Sequence, residues 1–104
     1  MQLPHVTETV QWENNLVFKI GGKIFAIAAL EPSRVWLSFK CAADGFRELT
    51  ERNGIVPAPY LARANWVGLE DEDALSAAEL ATCLRHAYDL VLAGLPRKVR
   101  SKLA

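Results

Sequence analysis

The sequence predicts one α+β domain, an antiparallel β-sheet with helices packed on one face. Three observations carry this: a Gly-Gly turn between two apolar stretches, a run in which apolar and polar residues alternate, and a serine-glutamate cap at the head of a long helical stripe. At 104 residues the chain suits one core and not two, so residues 1–104 are read as a single domain.

Val6 to Trp12 is expected to be a strand at the sheet edge. Leu16 to Ile20 and Lys23 to Leu30 then form a hairpin, because Gly21-Gly22 supplies the positive φ angles of a two-residue turn. With Ile20 opposite Lys23, a uniform ladder sets Phe18 against Phe25 and Leu16 against Ile27, all on the core face. Glu31-Pro32-Ser33 reads as a turn. From Arg34 to Lys40, Val35, Leu37 and Phe39 alternate with Arg34, Trp36, Ser38 and Lys40, which predicts a strand with one buried side and a basic outer side carrying a tryptophan.

Asp44 to Arg52 suits a short helix with Phe46 and Leu49 inward, and with Arg47 to Glu51 and Glu48 to Arg52 as charge pairs outside. Asn53-Gly54 ends it, Ile55 folds back on it, and Pro57 and Pro59 impose an extended loop. Trp66 to Leu69 is a further strand. In Ser76-Ala77-Ala78-Glu79 the two polar side chains satisfy each other's backbone donors and open a helix of about four turns. Leu80, Leu84, Ala87, Val91 and Leu95 line its buried stripe, while Glu79, Thr82, Arg85, His86 and Asp89 line its wet one. Gly94-Leu95-Pro96 stops it, leaving a basic tail of Arg97, Lys98, Arg100 and Lys102.

Half the residues are hydrophobic (51%) and 23% are charged, which is globular and not disordered composition. Neither metal nor disulfide is needed for folding. Cys41 and Cys83 sit in apolar patterns without a CxxC or a Cys/His cluster, so two buried thiols are expected and no zinc. No apolar run approaches the roughly 20 residues of a membrane span, and Met1 to His5 lacks the basic start and apolar core of a secretory signal. The expected location is cytoplasmic.

The ordered set Phe18-Lys19-Ile20-Gly21-Gly22-Lys23-Ile24-Phe25-Ala26, Leu37-Ser38-Phe39-Lys40-Cys41, Pro59-Tyr60-Leu61, Trp66-Val67, Tyr88-Asp89-Leu90-Val91 and Leu95-Pro96-Arg97-Lys98 resembles the MmcQ/YjbR family over nearly the whole chain. The resemblance implies a frataxin-like (CyaY-like) fold and a DNA-binding role. It also implies a helix ahead of the Leu-Pro that stands here at Leu3-Pro4. A chain starting so close to that point lacks most of that helix, leaves part of the core face bare, and is expected to pair as a homodimer or to be covered by upstream residues.

Nothing in the sequence has the pattern of an active site. His5 is near the start and His86 is on the wet stripe, so neither is set beside a nucleophile. Gly21-Gly22 is a hairpin turn and not a phosphate loop, since strands flank it on both sides. Glu70 to Asp73 meet the positive end of the following helix, which explains them without a metal; a frataxin-like acidic metal site ranks third among the functional readings. No cofactor is expected.

The net charge is zero, so distribution decides. Lys19, Arg34, Trp36 and Lys40 are expected on the outer sheet face with Arg63 nearby, and Arg97 and Lys98 in the tail. These cations suit phosphates, and Trp36 suits stacking on a base. Tyr60 and Trp66 are expected to fix a loop on the sheet. The leading reading is a DNA- or RNA-binding module using this face, the hairpin wing at Gly21-Gly22 and the tail. A module that binds protein or a small ligand is the alternative.

Overall fold

A computed structural model describes residues 3–12, 14–58 and 64–103. The elements are β1 (Val6–Gln11), β2 (Asn15–Ile20), β3 (Lys23–Ala29), β4 (Leu37–Lys40), α1 (Ala43–Thr50), β5 (Ile55–Pro57), β6 (Trp66–Leu69), α2 (Ala77–Ala93) and α3 (Arg97–Leu103). The strands make one antiparallel sheet in the order β1-β2-β3-β4-β6-β5. All three helices contribute to a single core on one sheet face, built on Phe25, Phe39, Ile20 and Leu69 from the sheet and Ala87, Tyr88 and Val91 from α2.

The hairpin forms with Gly21 and Gly22 at φ of 58° and 82° and Ile20 opposite Lys23. Its ladder is not uniform. Phe18 faces Ala26 instead of Phe25, and Leu16 faces Ala28 instead of Ile27, because a bulge between Phe18 and Lys19 leaves Phe25 as an extra residue on β3. The bulge turns both Phe25 and Ala26 toward the helices and sends Ile27 to the outer face beside the fully buried Val17. A uniform ladder would have set Ile27 beneath the helices. Ala26 and Ala28 stand there instead, and α2 packs closely on β3. Phe25 is fully buried and meets the edge of Tyr88 at 5.7 Å, whereas Phe18 is only half-buried, 6.4 Å from Phe25.

In β4, Leu37 and Phe39 point inward as the alternation predicts, but the pattern fails before Leu37. Val35 lies over Gly68 on the outer face, where a Cβ on Gly68 would come within 2.8 Å of Val35 Cγ1. Trp36 therefore turns to the other side and packs, half-buried, against the core. The glycine leaves a hollow that Val35 fills, and filling it reverses the expected side for both residues.

Two elements were not anticipated. Ile55–Pro57 is an edge strand on β6 and not part of a loop, and the basic tail is helix α3, whose Val99 packs on the core. The surface pairs of α1 also differ from the expected set: Arg47 pairs with Asp44, and Arg52 reaches Glu79 of α2 at 2.7 Å. The capping box of α2 is as expected, with Ser76 Oγ accepting from Glu79 N–H at 3.1 Å and Glu79 Oε1 accepting from Ser76 N–H at 3.0 Å.

Candidate nucleic-acid interface

Strand direction sorts the charges to the two ends of the sheet. The Gly21-Gly22 turn, the end of β4, the end of α2 and the chain before β1 share one end, the hairpin end. The exits of β3, α1 and β6 and the start of α2 share the other. Lys19, Lys23 and Lys40 lie at the hairpin end, and α3 adds Arg97, Lys98, Arg100 and Lys102. Gly21 fixes α3 there, since a Cβ on it would lie 2.5 Å from Leu95 Cδ1 and 3.1 Å from Val99 Cγ1. At the far end stand Glu31, Glu51, Glu70, Asp71, Glu72, Asp73 and Glu79. Seven cations at one end and seven carboxylates at the other cancel within the zero net charge.

Ion pairing follows the same division. Arg34 pairs with Glu70, Arg47 with Asp44, Arg52 with Glu79 and Arg85 with Asp89. None of the ion pairs among the described residues involves a cation of the hairpin end. Lys40 Nζ donates to a neutral group, the Ala64 carbonyl, at 3.1 Å. Each remaining described arginine has its own carboxylate, so the cations without one among the described residues gather at the hairpin end.

The expected site residues thus separate. Lys19 is half-buried on the outer face, between Thr7 of β1 and Ile24 of β3. Lys40 is on the same face two strands away, about 10 Å by strand spacing. Arg97 and Lys98 open α3 at this end. Arg34 is about 20 Å along the strand direction from Lys40 and is engaged by Glu70. Trp36 is on the helical side and not on the basic face. Arg63 and Tyr60 lie outside the described residues, while Trp66 is 6% exposed on the outer face. The sequence singled out Arg97 and Lys98 individually, took in Arg100 and Lys102 only as part of the basic tail, and did not point to Lys23. Leu95, Val99 and Leu103 recur every four residues, a helical stripe that could have identified α3 and its four cations.

At the acidic end Glu70, Asp71 and Glu79 are engaged locally. The guanidinium of Arg52, bonded to Glu79, holds that carboxyl down to about 2, with help from the Ser76 backbone N–H. Asp71 accepts from the Asp73 N–H at 2.9 Å. Among the described residues no group of three or more His, Cys, Asp or Glu could hold a metal ion. Both cysteines are free; burial, then the neighbouring Cys83, pushes the Cys41 thiol up to about 12. No helix among the described residues is long and apolar enough to cross a membrane.

A six-stranded antiparallel sheet with helices on one face defines a small α+β domain with a cationic end. The model of the YjbR family matches residues 1–90, and the chain belongs to that family. The match ends before α3. A Deinococcus radiodurans protein carrying the domain DUF419 has a solved structure similar to this one at TM-score 0.85 and 28% identity, over 98% of this chain and 80% of that one. A Pseudomonas syringae protein shares the fold at TM-score 0.66 and 19% identity, over 82% of this chain and 86% of that one. No curated protein matches the chain.

Proposed function

We propose that this YjbR domain is a non-catalytic nucleic-acid-binding module that holds DNA by its phosphates at the hairpin end. One observation carries the reading: Lys19, Lys23, Lys40, Arg97, Lys98, Arg100 and Lys102 gather at one end without a carboxylate partner among the described residues, while the described arginines elsewhere are ion-paired. Ammonium groups meet phosphates as point charges, and the α3 arginines can bind them through two N–H donors.

Contacts of this kind position a protein without reading sequence. Trp36, packed against the core, does not offer an open face for base stacking. Binding is therefore backbone-led, tolerant of sequence and strongly weakened by salt. The acidic end opposes any approach except end-on, and the zero net charge gives no long-range attraction beyond about one Debye length, about 10 Å at 0.1 M salt.

The test is a salt series of fluorescence-anisotropy titrations against labelled duplex and single-stranded DNA. Log affinity is expected to fall linearly with log salt. Replacing Lys19, Lys23, Arg97 and Lys98 together with alanine flattens the slope by about one unit for each phosphate no longer neutralised. Absence of binding at low salt, or binding indifferent to the four substitutions, rejects the reading.

A further inference from the structure

The two edges of the sheet are finished differently. β5 has three residues and ends on Pro57, which has no N–H for a further strand. β1 has six, Val-Thr-Glu-Thr-Val-Gln, mostly β-branched and without proline or a basic residue, and among the described residues no strand pairs with its outer side. The corner beside it is also uncovered. α2 packs on β2, β3 and β4, and Val10, Trp12 and Leu30 remain 59%, 62% and 53% exposed. The backbone ties these residues together, with Asn14 N–H donating to the Trp12 carbonyl and Leu30 N–H to the Asn14 carbonyl, both at 2.8 Å. Trp12 adopts a φ of 52°, unfavourable for a bulky residue, and its ring still stands in water.

We infer that β1 pairs antiparallel with β1 of a second copy, about a two-fold axis at Thr9, to give one continuous sheet. Opposed residues in an antiparallel pair share a face, so both copies keep their helices on one side only if the axis passes through a residue. Glu8 and Thr9 are the central choices. An axis at Glu8 opposes two carboxylates, which is destabilising. An axis at Thr9 opposes Thr9 to itself, Glu8 to Val10 and Thr7 to Gln11, and brings Trp12 alongside Val6 of the other copy. Because the strands are antiparallel, the basic end of each copy also lies on the same side as the acidic end of its partner, which favours this encounter over a parallel one.

Sedimentation equilibrium of the full chain from micromolar to millimolar concentration is expected to approach twice the 11.5 kDa chain mass. Val10→Glu, with circular dichroism confirming its fold, sets a second carboxylate opposite Glu8 of the other copy and is expected to abolish the dimer. Thr9→Cys adds a thiol on the axis, where opposed Cα atoms are about 4.5–5.5 Å apart, within disulfide range. With oxidised glutathione as the oxidant, T9C is expected to link as a covalent dimer, and Thr7→Cys, which shares the native cysteines but faces Gln11, is not. A monomer at all concentrations overturns the inference, as does a dimer that survives Val10→Glu and leaves T9C unlinked.

Discussion

At the acidic end of the sheet Arg34 and Arg52 each hold a carboxylate, whereas at the hairpin end neither the three strand lysines nor the four cations of α3 do so among the described residues. At the acidic end the Arg52, Glu79 and Ser76 network closes the start of α2 onto the end of α1. The hairpin end is held by apolar contact, Leu95 and Val99 against Gly21, with its charges directed elsewhere. What distinguishes the two ends in this chain is the partner each charge has found, because the charge totals cancel.

The largest expected effect comes from detaching α3. Gly21→Ala forces a side chain into a left-handed backbone and against Leu95, so a loss of about 2–4 kcal/mol is expected from strain and overpacking together. Gly22→Ala has a positive φ of 82° but nothing within 4 Å, and is expected to cost only about 1–2 kcal/mol. Urea unfolding of both variants checks the difference; equal losses would mean that α3 is not seated on the hairpin turn.

Next in size is the lock of the acidic end. Ser76→Ala removes the cap acceptor for Glu79 N–H and should cost about 1 kcal/mol in the same assay. The lock is also sensitive to acid. Glu79 titrates at about 2 in the fold against an ordinary 4.5, so its contribution is complete above about 4.5 and is lost as pH falls toward about 2. Thermal unfolding of the parent chain against Glu79→Gln should therefore show a stability difference at neutral pH that narrows through this window. A difference that persists unchanged at pH 2 would contradict the assignment. The smallest effect is expected at Arg34, whose side chain is 83% exposed in its pair with Glu70; Arg34→Ala should change stability by less than about 1 kcal/mol and leave the salt slope of DNA binding unchanged.

Much of the fold was legible because it depends on local signals. Gly21-Gly22, the Ser76 box and the inward Leu37 and Phe39 each state their structure within a few residues. The misplacements came from contacts distant in sequence. The Phe25 bulge reflects what α2 can tolerate on β3, and Trp36 turned inward because Gly68, thirty-two residues on, made room for Val35. The candidate site was legible in part for the same reason. Lys19, Lys40, Arg97 and Lys98 were identified from composition and alternation, but which cations would be neutralised depended on Glu70 and Glu79 arriving from other elements.

Nuclear magnetic resonance titration of the labelled chain with a short DNA duplex at low salt tests the central claim most directly. Shift changes concentrated at residues 19–23, Lys40 and 95–102, fading as salt is raised and absent around residues 31–36 and 70–79, are the predicted result. Changes centred on the acidic end, or no changes at saturating DNA, would contradict it.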